Sequence, residues 1–340
     1  MIGYWIFNYM PQWEAASKEV QLLHETQESS ILFALNTKQR KLKLSGATRH
    51  IPLPWGLVAM PWLLTSARRF EINHIYASAG ERLLLPRIGG RRTVLTVTKE
   101  AGSLARVERS LPHLKRLGMI VVESERHYEL FAQSGIPEER LQLIYPSSGL
   151  RPYREALTPF RILFASSPPA RFDLLSRGIH LMLSAARRLP EVRFVLAWRE
   201  TNLAELNQLI AAFGVTNVEV HNGCVDMDEL YASCSACILP GLTHNSLKPC
   251  PHSALESLAH GKPVLVSRPT SISGLVERER CGLVFEPTVL GLEAAVVDLQ
   301  TRYAEHQSNC HRVVEEHFAP DRFCSRYDKV YASLRQGDGA

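Results

Sequence analysis

Two doubly wound α/β domains, each a parallel sheet with helices on both faces, are what this 340-residue sequence predicts. Three observations lead there. Short apolar runs alternate with amphipathic stretches, regularly in the second half and less cleanly in the first. The length allows about two domains at the usual ~100–200 residues each. Near 147–160 the phrase PSSGLRPYREALTP supplies the Pro, Gly, Ser and charge of a linker.

In the first half, IGYWIFNY, SILFAL, HIYAS, TVLTVT, MIVVES and LQLIYP read as strands. Helices are expected near 13–26, 57–70, 101–116 and 125–134. In the second half the strands are RILFAS (161–166), VRFVLAW (192–198), VEVH (218–221), ACILP (236–240), PVLVS (263–267) and GLVFE (282–286). Helical patterns lie between them at 178–189, 202–213, 226–234, 252–260 and 273–280. Continuous apolar strands separated by amphipathic helices indicate buried parallel sheets. Right-handed crossovers then make each domain Rossmann-like. The stretch PDRFCSRYDKVYASL (320–334) puts Phe323, Tyr327, Val330, Tyr331 and Leu334 on one helical face. The boundaries expected are 1–150, 158–318 and a terminal helix over 319–336. Two such sheets place a ligand cleft at their strand C-termini.

Hydrophobic residues make up 45% and charged residues 21%, ordinary for a globular protein with real cores. A formal charge of +5 favours anionic ligands or surfaces without specifying one. No stripe of Lys and Arg interleaved with aromatics is present, so nucleic acid is not an expected partner. All seven cysteines follow residue 220, and their odd number with no signal peptide ahead argues for reduced thiols in a cytoplasmic protein. Cys234 and Cys237 form a C-x-x-C without a second ligand pair, which reads as two buried small residues rather than a zinc site.

No run reaches the ~18 apolar residues of a membrane span. The nearest, IPLPWGLVAMPWLLTS (51–66), is interrupted by Pro54 and Pro61 and followed by Arg68 and Arg69. Trp55, Trp62 and these arginines suit an interfacial helix, with basic KQRKLK (38–43) beside it. Core packing is the favoured alternative for the tryptophans.

The chemistry concentrates in KPCPHSALESLAHGKPVLVS (248–267). A Pro-rich loop leads into a short helix that carries Glu256, and a buried strand follows Gly261. A loop, a helix N-terminus and a strand are how an α/β sheet presents backbone N–H groups to phosphate. Ser253 and Ala254 sit at that N-terminus, and Glu256 is placed to bond a ribose diol. Earlier, SSPPARFDLLSRG follows the first strand of the second domain and brings Arg171, Arg177 and Gly178. Each arginine alone reads as a solvated charge; the spacing after a buried strand favours a phosphate clamp.

These phrases resemble the family 4 glycosyltransferases of the GT-B fold, which carry an Arg, five residues, then Lys-Gly at the clamp. HNGCVDMDELYASCSACILP (221–240) and SISGLVERERCGLVFEP (271–287) continue the likeness, with Gly223 where base and diphosphate pass the sheet edge. The resemblance implies a hexosyltransferase that takes a nucleotide-diphospho-sugar as substrate, needs no cofactor, and acts with retention and without a metal. It gives Arg171, Arg177 and Lys248 catalytic positions, and donor contacts to Glu256, Gly178, Gly223, Ser253 and Ala254. The acceptor expected is a glycan, a lipid-linked molecule or a small molecule, met in the cytoplasm or at the inner membrane face. Asp226-Met227-Asp228 has the letters of a metal motif but starts a helix, where N-capping explains Asp226.

Departures stand beside the likeness. Where the family has Glu, seven residues, Glu, this chain has Lys248 and Glu256. Thr98, followed by Lys99 and Glu100, stands where TVLTV usually leads into a His. Gln12-Trp13-Glu14-Ala15 replaces a Gly-Gly; Trp13 suits stacking on a sugar face or packing in a core. His127, His244 and His252 read as available titratable groups, the last two flanking the donor loop. These departures leave two other readings: a relative that binds nucleotide or partners another transferase without catalysis, and a nucleotide-sugar epimerase.

Overall fold

The computed structural model describes residues 1–11, 14–37, 42–52, 55–166 and 171–336, with the side chains of 56, 57, 171 and 172 outside that description. The chain divides into unit 1, Met1–Pro146 with Asp321–Ala340, and unit 2, Ser147–Pro320.

Unit 1 contains β1 (Ile2–Phe7), α1 (Ala15–Thr26), β2 (Ser30–Thr37), β3 (Thr48–Pro52), α2 (Trp55–Val58), α3 (Met60–Ala67) and β4 (Ile72–Ala77). It continues through α4 (Leu85–Ile88), β5 (Thr93–Val97), α5 (Leu104–Glu108), α6 (Leu111–Leu114), β6 (Met119–Val122), α7 (Glu125–Gln133) and β7 (Leu141–Leu143). All pairings are parallel, in the order β3-β2-β1-β4-β5-β6-β7. The order reverses direction between β1 and β4, the switch point where such sheets open a crevice.

Two expectations need correction. The helix over 57–70 is two short helices, α2 and α3, with Pro61 near the start of the second. The helix over 101–116 is likewise broken, because Pro112 opens α6. Proline lacks the N–H a continuing helix needs, and its fixed φ suits a first turn. Residues 51–52 belong to β3, an edge strand outside the predicted set.

Unit 2 comprises β8 (Arg161–Ala165), α8 (Arg171–Ser176), α9 (Ile179–Arg188), β9 (Arg193–Trp198), α10 (Leu203–Phe213), β10 (Val218–Asn222), α11 (Met227–Ser233) and β11 (Ala236–Leu239). Then follow α12 (His252–Ala259), β12 (Val264–Ser267), α13 (Ser273–Glu279), β13 (Gly282–Phe285), α14 (Val289–Thr301) and α15 (Tyr303–Val313). The order β10-β9-β8-β11-β12-β13 is again wholly parallel, with its switch point between β8 and β11. The last helix, α16 (Pro320–Gln336), packs on unit 1 through Phe323, Tyr327, Val330 and Tyr331, against Tyr4, Ile72, Tyr76 and Val94.

That docking holds a polar knot inside an apolar layer. His74 of β4 is fully buried, with Nδ1 2.8 Å from the Tyr331 hydroxyl and Nε2 2.7 Å from Thr96 Oγ1. The Tyr331 and Tyr4 hydroxyls meet at 3.2 Å, and Thr96 also meets the Tyr327 hydroxyl at 2.8 Å. Buried polar atoms that find partners cost little, and here the partners come from strand and helix together. Burial pushes the His74 imidazole down to about 3, so it is neutral in the folded protein.

A candidate nucleotide-sugar site in unit 2

The carboxyl ends of β8 and β11 flank the switch point, and the segments that follow them are joined there. After β8 the chain reaches α8, which begins at Arg171; the side chain of Arg171 lies outside the described residues. Arg177 closes α8, its backbone N–H donating to Asp173 O at 2.9 Å, and its guanidinium donates to Ser166 Oγ just beyond β8. Gly178 follows in the left-handed region, φ +78. A Cβ there would stand 2.0 Å from the Pro240 carbonyl oxygen after β11, so only glycine allows the two segments this close. Leu242 N–H adds a bond to Ser176 O at 2.8 Å. Gly178 also leads into α9, whose first turn has no side-chain cap and leaves N–H groups for a ligand.

The loop after β11 is held from within. Thr243 and Ser246 cap each other, Ser267 Oγ donates to Gly241 O at 2.5 Å, and His244 Nδ1 donates to Pro269 O at 2.5 Å. His244 is thereby an anchor of loop to loop. Pro249, Cys250 and Pro251 are buried, with Lys248 half-buried ahead of them. Then α12 starts without a side-chain cap. Ser253 is half-buried in its first turn, while Ala254 is buried and its N–H donates to Pro251 O at 3.0 Å. Glu256 is half-buried one turn on.

Two residues beside Glu256 escape sequence reasoning. Tyr231 of α11 is buried, stacked on His260 with ring centroids 5.4 Å apart. Burial first, and then the Glu256 carboxylate, push its phenol well above the usual range, so it stays protonated against that carboxylate. Arg199, immediately after β9, pulls the same phenol the other way. The signal for Arg199 was its place at the end of a buried strand; for Tyr231, which comes from a separate helix, there was none. Gly223 follows β10 at φ +100, its N–H on Trp198 O at 2.8 Å and open space where a Cβ would stand.

Other candidate groups fall elsewhere. Asp226 accepts from Glu229 N–H at 3.1 Å as the cap of α11, and Asp228 lies 3.4 Å from Arg151. Among the described residues, the group able to offer three metal ligands is Glu279, Glu316 and His317. Glu279 ends α13 just before β13, while Glu316 and His317 follow α15, and Arg312 already bonds both carboxylates at 3.1 and 2.6 Å. Cys234 and Cys237 are buried, and burial raises both thiols. In unit 1, Thr98 is buried, and His127 is fully buried, with Nε2 2.8 Å from Glu100. His127 is therefore closed off from solvent rather than available as its sequence context suggests. Gln12 and Trp13 lie outside the described residues.

With this geometry in hand, comparison with solved structures decides the architecture. HepE from Anabaena, in a complex with UDP, superposes with a TM-score of 0.76, at 15% identity over 98% of this chain and 99% of that one. The fold is GT-B. Sucrose-phosphate synthase from Thermosynechococcus elongatus matches over 99% of both chains at 14% identity and TM-score 0.74. WaaG, a glycosyltransferase involved in lipopolysaccharide biosynthesis, matches at 13% identity and TM-score 0.68, over 95% of this chain and 98% of that one. The model of a family described as glycosyl transferases group 1 matches residues 171–314. That stretch runs from the start of α8 to the end of α15 and so contains Arg177, Gly178, Gly223, Lys248 and Glu256 of this GT-B chain. A sequence comparison with characterised proteins found no match.

Proposed function

We propose that the protein transfers a hexosyl unit from a nucleotide-diphospho-sugar to an acceptor hydroxyl, with retention and without a metal. The observation that carries this reading is the joining of Arg177-Gly178 to the loop after β11 at the switch point, with Glu256 on the next helix. A departing nucleoside diphosphate gains negative charge in the transition state. Arg177 and the N-termini of α9 and α12 supply positive potential at that place, the part a divalent ion plays elsewhere, and Arg171 is assigned to the same clamp from its place in the sequence. Glu256 accepts from the ribose hydroxyls. Gly223 gives the base and ribose room. On one face of the sugar, the leaving phosphate takes the acceptor proton, so no protein nucleophile is required. HepE's complexes with UDP and UDP-glucose make UDP-sugars the first donors to try.

Incubation with a panel of UDP-, GDP- and dTDP-sugars, with products read by mass spectrometry, tests the proposal. Transfer or slow donor hydrolysis is expected with one nucleotide class. Nucleotide binding with neither would favour the non-catalytic reading that Lys248 motivates, and a changed sugar on the intact donor would mark an epimerase. Lys248 lies between the loop and α12, held by buried Pro249 and Pro251. A cation cannot accept from sugar hydroxyls as the family's Glu does, so we assign it to the diphosphate or an anionic sugar substituent.

We also propose peripheral contact of unit 1 with anionic lipid. Trp55 and Val58 of α2 are exposed at 47% and 73%, with Leu42 and Leu44 nearby in sequence also exposed. Trp62 is excluded from that face: it packs on Phe33 at 6.0 Å under the Arg49 guanidinium.

A further inference from the structure

Unit 1 has a cavity of its own, of about 670 Å³, where the chain leaves β4 and β5. Its walls are Ser78 to Arg82 after β4, Glu100 and Ala101 after β5, and Arg106, Arg109, Ser110 and His113 from α5 and α6. The volume lies within the ~300–1,000 Å³ of small-molecule sites.

The two carboxylates in these walls are already committed. Glu81 accepts from the N–H groups of Leu83, Leu84 and Leu85 at 2.5, 2.7 and 2.9 Å, capping the start of α4. Glu100 accepts from Arg126 at 3.0 Å and meets His127 at 2.8 Å, its side chain only 5% exposed. The arginines are not so committed. Among the described residues Arg82, Arg106 and Arg109 form no ion pair, and Arg109 spends only its Nε, on Ala105 O at 3.3 Å. Three cations around one cavity suit a ligand with several negative oxygens. The charge of the whole unit agrees. Unit 1 has 23 Lys and Arg against 16 Asp and Glu, while unit 2 has 16 against 18. The protein's positive charge therefore lies wholly in the unit that carries this cavity.

We propose that the cavity holds an anionic acceptor, a sugar or glycan bearing a phosphate or carboxylate gripped by Arg82, Arg106 and Arg109. This rests on the transferase reading for the word acceptor; the anion site itself does not. Calorimetry with glucose 6-phosphate, glucuronate and glucose, beside UDP, tests both. Glucose 6-phosphate or glucuronate should bind, more weakly as salt is raised, and at least 10-fold tighter than glucose; which of the two binds better tells phosphate from carboxylate. Arg106→Ala with Arg109→Ala should weaken that binding at least 10-fold and leave UDP affinity unchanged; both side chains are exposed, so the variant keeps its fold. Equal binding of all three sugars, or anionic-sugar binding indifferent to the double substitution, overturns the inference while UDP binding leaves the transferase reading standing. Loss of UDP binding by the wild type overturns the transferase reading instead, and the sugar titration still decides the anion site.

Discussion

Glu256 concentrates the argument at the scale of the residue. It is half-buried on α12, with a protonated phenol beside it, in a unit whose switch point lies one loop away. Glu256→Ala should weaken UDP binding by about 1.5–3 kcal/mol, the range for a hydrogen bond to a charged group. The helix itself loses little on gaining alanine. Calorimetry on the folded variant checks this, and unchanged affinity would remove Glu256 from the site. Its place on a short helix was legible because it stands at a fixed distance from a Pro-rich loop and ahead of a buried strand. Gly178 was legible for a related reason, a glycine just after an arginine in the segment that follows the first strand of unit 2. Its cause, a backbone approach to Pro240, joins two segments 62 positions apart. Periodicity along one segment carries no trace of such contacts, and Tyr231 was missed on the same ground.

At the scale of the element, strands were the legible part. A parallel strand buried on both faces reads as an unbroken apolar run, and twelve of the predicted runs are strands in the sheets. β3 was missed because it is a short edge strand, TRHIP in part polar, whose one strand partner among the described residues is β2. α14 and α15 also went unassigned: α14 carries apolar residues on most of its surface, and α15 is mostly polar, so neither shows a clear stripe. α16 was legible in full, since its buried face is the predicted one. Its docking predicts a pH dependence. His74 is held down to about 3 in the folded protein by burial, against 6.5 as an ordinary imidazole. The unfolded chain takes up the proton first, so this contribution is complete above 6.5 and is lost as pH falls from 6.5 toward 3. Stability should drop by about 1.4 kcal/mol per pH unit over that window, up to about 4–5 kcal/mol in all. Urea midpoints from pH 7 to 5 measure it, and His74→Gln should flatten the slope. An unchanged slope in the variant would mean that other groups set the acid limit.

Across the whole molecule, the division of charge separates two jobs. Unit 2 has a small acidic excess, so its cations act as placed groups such as Arg177 within a near-neutral surface. Unit 1 has a net +7, which attracts anions over a wide area whatever single residues do. Exposed Trp55 and Val58 add an apolar tip on that basic unit, the pairing by which a protein rests on anionic lipid without crossing it. No helix among the described residues is long and apolar enough to span a membrane. Sedimentation with vesicles rich in phosphatidylserine should therefore carry the protein down at low salt and release it as salt rises, because the attraction is screened beyond about 10 Å at ~0.1 M. Neutral vesicles should retain little. Trp55→Ala should lower the bound fraction at every salt concentration, whereas the loss on raising salt should persist, since the first effect is burial of a ring and the second is charge. Failure to sediment with anionic vesicles at low salt, where attraction is greatest, would leave α2 as an ordinary exposed helix and confine the basic surface of unit 1 to soluble anions.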